Sequence, residues 1–228
     1  MVPFLFDWTF LLLIPALMLA GWAQWKVRSA YGQFGKVHAR SGLSGAEVAK
    51  RILARNSLGD VRVEAVAGTL TDHFDPRSRS VRLSEANYRS DSIAAVSVAA
   101  HEVGHAMQHG HGYAPLAFRH AIFPVANFTS SLAFPLFLIG FLANIRGLID
   151  LGIIFFAVAV LFSVVTLPVE FNASRRALAQ LSEGGLLTVE ELPGARKVLQ
   201  AAALTYVAAT TMALLQLVRL LILRGSRD

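Results

Sequence analysis

The sequence predicts a mostly α integral membrane protein, with about four transmembrane helices and one small α+β region outside the bilayer. Composition is the first sign: 54% of the 228 residues are hydrophobic and 16% charged, against roughly 45–50% and 25% in soluble domains. The second is how the apolar residues gather. Residues 8–25, 121–145, 151–169 and 198–218 are free of charge, and each stretch is near the ~17–25 residues that cross a bilayer as a helix. The third is the polar segment between the first two stretches, where helical and period-two patterns follow one another.

Residues 1–26 read as a transmembrane anchor. No basic residue precedes the apolar run, and the run exceeds the ~7–15 residues of a cleaved leader. Trp22 and Trp25 suit the aromatic belt of an interface. The region 27–119 begins among Lys26, Arg28, Lys36 and Arg40. Within it Ser44-Gly45-Ala46-Glu47 forms a capping box for a short helix through Val48, Ile52 and Leu53, ended by Gly59. Residues 61–66, 69–74 and 80–83 read as strands, divided by Ala67-Gly68 and by the turn Asp75-Pro76-Arg77-Ser78. Ser90 or Asp91 caps the next helix, which runs toward Gly110 or Gly112. Two spans fill 120–169, with Pro124 and Pro135 predicting a kink whose freed carbonyls Ser130 and Ser131 rebond. A polar helix and the loop Ser182-Glu183-Gly184-Gly185 occupy 170–197, and 198–228 is a last span with a basic tail.

The net charge is +6. With four spans present, basic flanks beside anionic lipid account for it, and no recognition motif for nucleic acid accompanies it. Of 21 Lys and Arg, 13 lie in 26–119 and 4 in 170–197, so the positive-inside rule puts both segments in the cytoplasm and the N-terminus outside. Cysteine is absent, which excludes disulfides and thiolate ligands and leaves nitrogen and oxygen for any metal.

Chemistry concentrates at His101-Glu102-Val103-Gly104-His105. Histidines four apart on a helix differ by about 40° and about 6 Å, so both imidazoles reach one Zn²⁺. Glu102 beside the metal is then the general base toward a zinc-activated water. Such a site needs a third protein ligand. His109 is eight residues past His101, about 12 Å along a straight helix, and is out of reach. Asp150 would suit a site within the membrane, but one predicted span separates it from His105 and places it on the opposite face. Two spans separate His105 from Glu170, which returns Glu170 to the same face, so Glu170 is the better ligand.

Together with Ala100-His101-Glu102-Val103-Gly104-His105, the run Glu170-Phe171-Asn172-Ala173-Ser174-Arg175 resembles the Glu-Phe-x-Ala-Asp-Arg motif of membrane gluzincin peptidases of the HtpX and CAAX-prenyl protease type. There the leading Glu is the third zinc ligand; the Asp position here is Ser174. That Asp orients a zinc histidine; Ser174 can hydrogen-bond there only as a neutral group, and Asn172, Asp72 and His109 are further candidates for the orienting role. Over almost its whole length the chain resembles the YugP-type membrane zinc metallopeptidases. Residues 11–17, Thr71-Asp72-His73-Phe74-Asp75-Pro76-Arg77, residues 98–106, Gly112-Tyr113-Ala114-Pro115-Leu116 and residues 167–177 carry that resemblance, and Ser174 looks like what that family has. The resemblance implies a zincin-like catalytic region and a neutral zinc peptidase of a bacterial cell membrane.

Asp72 and His73 sit on a predicted edge strand that can take an extended peptide, although alternation lets at most one face the site. Tyr113, Tyr88 and His109 are the candidate donors to an oxyanion. Arg175 and Arg176 suit lipid headgroups. The expectation is a membrane metalloendopeptidase with zinc on His101, His105 and Glu170, acting on peptides or membrane proteins near the bilayer. An intramembrane site protease, or a zinc-binding membrane scaffold of weak activity, are the alternatives.

Overall fold

A computed structural model describes residues 7–225. A 3₁₀ turn, Trp8–Leu13, leads into α1 (Ile14–Phe34); then follow α2 (Gly45–Arg55), β1 (Arg62–Val66), β2 (His73–Asp75), β3 (Ser80–Ser84), α3 (Glu85–Arg89), α4 (Ile93–Gly110), α5 (Ala114–Ala143), α6 (Arg146–Glu183) and α7 (Leu192–Gly225). The protein is thus mostly α, with four helical segments long and apolar enough to cross a membrane, Trp8–Phe34, Ala114–Ala143, Arg146–Glu183 and Leu192–Gly225. All four are longer than the apolar stretches that announce them, although Ala114–Ala143 stops two residues short of the end of its stretch.

Two compact units divide the chain. One comprises the described residues up to Ala23, Ala117–Pro168 and Thr205 onward. Phe137, Ile149, Ile153, Leu220 and Leu223 form its buried cluster. Gly140 and Gly152 allow α5 and α6 to close on each other, since a Cβ on Gly152 would stand 2.6 Å from the Phe137 nitrogen. Pro124 and Pro135 lie inside one α5 helix. Ser130 and Ser131 donate to Asn127 and Phe128, not to the carbonyls of residues 120 and 131 that the prolines free, because a serine hydroxyl on a helix reaches back only to i−3 or i−4. Asp150 pairs with Arg224, and Arg219 is buried against Thr9 and Asp7.

The other unit, Gln24–Leu116 with Val169–Leu204, holds the α+β region. The capping box forms as the sequence predicts: Ser44 accepts from the Glu47 N–H while Glu47 reaches the Ser44 N–H. The helix stops at Arg55, ahead of Gly59, because Asn56 takes the C-cap and Ser57 turns left-handed at φ 58°. The sheet order is β1-β3-β2, with β1 parallel and β2 antiparallel to β3. The strand expected over 69–74 is confined to His73–Asp75: Leu70 adopts φ 56° and the Thr71 hydroxyl donates to the Ala67 carbonyl, which makes 67–71 a turn. Asp75 closes the next turn by accepting from the Arg77 N–H and the Ser78 hydroxyl. Ser92, not Ser90 or Asp91, caps α4, because its hydroxyl is the one placed to accept from the Ala95 N–H; Asp91 is engaged by His38.

The core gathers Val48, Ile52 and Leu53 of α2, Val81 and Leu83 of β3, and Val96 and Val103 of α4, with Leu181 and Leu199 from the later helices. Burying each such side chain is worth roughly 1.5–3 kcal/mol. Their joint effect is to fix α4 with one face in the core and its histidine face turned to α6.

Candidate metal centre

α4 and α6 build the site. His101 and His105 leave one face of α4 a turn apart, with ring centroids 4.8 Å apart and planes at 87°. Glu170 comes from α6, a helix that runs unbroken from Arg146 through Pro168 to Glu183, so the third candidate ligand stands inside that helix. Among the described residues these three form the one group of His, Cys, Asp or Glu able to share a metal, their candidate ligand atoms all lying within 4.8 Å of one another.

The spacing suits zinc closely. Glu170 Oε2 lies 3.3 Å from His101 Nε2 and 3.6 Å from His105 Nε2, and neighbouring ligands about 2.0–2.1 Å from a tetrahedral zinc stand about 3.3–3.4 Å apart. Two imidazole nitrogens and a carboxylate oxygen are also the donor set of a catalytic zinc with one position left open. Glu170 is 2% exposed, and a carboxylate so enclosed requires a cation or strong donors. Burial alone pushes the His105 imidazole down, but the nearby Glu170 carboxylate and the charge of Glu102 outweigh burial and raise its pKa.

α6 approaches α4 closely because Gly104 has no side chain: a Cβ there would meet the Ala173 carbonyl oxygen at 2.6 Å. Around the ligands, the Ser174 hydroxyl contacts His101 Nδ1 at 3.1 Å and Gln108 Oε1 contacts His105 Nδ1 at 3.0 Å. Of the residues the sequence offers as orienting partners, Ser174 is in contact with an imidazole nitrogen, and Gln108, outside that set, is too. Asn172 touches neither imidazole; it accepts from Gln108 and Arg176. Asp72 accepts from the Ser84 N–H and hydroxyl and from Asn87 Nδ2. His73 is exposed and bonded to the Thr71 carbonyl. His109, also exposed, lies with its ring 5.7 Å from Phe74. Tyr113 is under the Arg176 guanidinium, and Tyr88 packs on the core.

Glu102 is 9% exposed, and among the described residues no side chain donates a hydrogen bond to its carboxylate. Sequence reasoning missed Gln108. Its only signal was position, one turn after His105 on the same helix face.

A family model described as "Putative neutral zinc metallopeptidase" matches residues 9–225. A protein of Bacillus subtilis (strain 168) named "Putative membrane protease YugP" is 54% identical over 218 residues, covering 95% of this chain and 97% of that protein. No solved structure matches the chain.

Proposed function

The chain belongs to the family described as "Putative neutral zinc metallopeptidase", and from that premise we propose a membrane-embedded zinc metalloendopeptidase in which His101, His105 and Glu170 hold the metal and Glu102 is the general base. The observation that carries this reading is the convergence of three ligand atoms within 4.8 Å, from residues as far apart in the chain as His101 and Glu170. Zinc in that place supplies Lewis acidity toward a peptide carbonyl and toward water.

The remaining chemistry belongs to side chains. The Glu102 carboxylate takes a proton from the attacking water and returns it to the nitrogen of the departing amine. Having no side-chain donor of its own among the described residues, it keeps its oxygens available for that proton. Ser174 and Gln108 hold the two imidazoles in place by their Nδ1 atoms, which leaves both Nε2 atoms turned to Glu170.

Substrates are peptides or membrane proteins close to the bilayer, because Glu170 stands two residues beyond Pro168 on a helix apolar enough to cross it. The four apolar helices and the bacterial relative support a multi-pass protein of a bacterial cell membrane, and the charge distribution supports catalytic residues on its cytoplasmic side. The alternative of a site within the membrane has less support, since Asp150 pairs with Arg224 and is not among the three clustered residues.

Elemental analysis of purified protein after mild chelator dialysis tests the reading. Wild type and Asp150→Ala should retain near-stoichiometric zinc while His101→Ala and Glu170→Ala lose it. Loss from Asp150→Ala with retention in Glu170→Ala would overturn the ligand set.

A further inference from the structure

We propose that Gln108 is a positioning residue that decides which ring nitrogen of His105 is offered to the metal; this rests on the ligand set proposed above. Gln108 is completely buried and bridges α4 and α6. Its orientation follows from a chain of groups whose polarity is forced in turn.

The chain starts at Arg176, whose guanidinium can only donate. Its Nε lies 2.8 Å from Asn172 Oδ1, which makes that Asn172 atom the oxygen and not the amide nitrogen. The same oxygen is 3.0 Å from Gln108, and the Val169 carbonyl is 2.8 Å from the same Gln108 atom. Two acceptors require a donor between them, so this atom is Gln108 Nε2, with one N–H for each. The other end of the amide is then Oε1, an acceptor, and it is 3.0 Å from His105 Nδ1.

An acceptor at that distance calls for a proton on Nδ1. In the neutral ring that a metal requires, which carries only one N–H, Nε2 then keeps its lone pair, and Nε2 is the atom that faces Glu170. The ring is thereby set in the tautomer a metal needs, with its other nitrogen held by a partner of fixed polarity. His101 differs: its Nδ1 meets the Ser174 hydroxyl, which can donate or accept and forces nothing. Because Gln108 also grips Val169, the neighbour of Glu170, one amide sets the ring of one ligand and the helix of another.

The test uses the full chain in detergent, with zinc competition titrations against a chelator and ¹⁵N–¹H spectra of histidine-labelled, zinc-loaded protein. Wild type should show a slowly exchanging His105 Nδ1–H. Gln108→Met should lose that signal and bind zinc about 10–100-fold more weakly, the usual cost of removing such a partner. Gln108→Glu, which keeps an oxygen toward His105, should keep the signal and bind more tightly than Gln108→Met. A packing role would give the opposite order, since methionine fills the same space without burying a charge. Wild-type affinity and an intact signal in Gln108→Met, or a Gln108→Glu variant no better than Gln108→Met, would overturn the inference. So would a wild-type protein without the protected Nδ1–H, a result that needs no variant to fold. If wild type takes up no zinc, or His101→Ala and Glu170→Ala bind it unchanged, the ligand set itself fails; zinc binding that depends on those residues but not on Gln108 defeats only the role of Gln108.

Discussion

Gly104 faces the backbone of Ala173 with no room for a side chain: a Cβ on Gly104 would lie 2.6 Å from the Ala173 carbonyl oxygen and 3.1 Å from its carbonyl carbon. The glycine inside His101-Glu102-Val103-Gly104-His105 is therefore the condition on which α6 comes near enough to deliver Glu170. Gly104→Ala should gain the ~1 kcal/mol of helix propensity that alanine has over glycine and lose about 1–3 kcal/mol to overpacking against a backbone that cannot rotate aside. The expected result is a folded protein with a lower melting temperature and weakened zinc binding. Unchanged zinc affinity in Gly104→Ala would show that α6 need not approach so closely.

Glu102→Gln should leave zinc content unchanged, because Glu102 is not one of the three clustered residues. Peptide hydrolysis should fall by about 10²–10⁴-fold, the contribution of a positioned base. Elemental analysis together with cleavage of an unfolded or membrane-bound substrate checks both halves, and full activity in this variant would sink the proposed role.

Zinc affinity should rise with pH across the neutral range. The metal requires a neutral imidazole, and in the metal-free protein the pKa of His105 is raised by Glu170 and Glu102 against the effect of burial. Protons thus compete with zinc at a higher pH than for a free histidine, near 6.5. The sign for stability is the reverse without metal. A raised folded pKa contributes stability fully below about pH 6.5, and this is lost as pH climbs through the folded value. Zinc titrations and melting of the chelated protein over about pH 6–9 should show opposite slopes.

Asp72→Ala should destabilise the α+β region without altering the metal ligands. Its carboxylate accepts from the Ser84 N–H at 2.8 Å and from Asn87 Nδ2 at 2.9 Å, and Asn87 is fully buried. Leaving those donors unmet costs about 2–4 kcal/mol. The zinc stoichiometry of the folded fraction should match wild type; a selective loss of zinc would return Asp72 to the site.

What the sequence made legible was local or periodic. The capping box at Ser44 and Glu47, the histidine pair on one helix face and the four apolar runs each depend on a few neighbouring residues, and each is present. Glu170 was reachable only by counting spans and by resemblance, because nothing around it in the chain distinguishes a ligand from an ordinary acid at a membrane edge. Gln108 was beyond reach: its partners Val169 and Asn172 are on another helix, and only packing turns its amide. The strand ending at Phe74 was overextended for a related reason, since Thr69 and Leu70 alternate like strand residues while Leu70 turns left-handed.

His101 and Glu170 are 69 residues apart in the chain, and this separation has a consequence for biosynthesis. On the proposed ligand set, a ribosome adding about 5–20 residues per second completes both histidines several seconds before the glutamate that must join them. A nascent chain in that interval carries the water-activating motif without the means to hold its metal in full. Hydrolytic power would thereby be withheld from the emerging polypeptide until three of the four hydrophobic segments had been made, by the order of the genetic message itself.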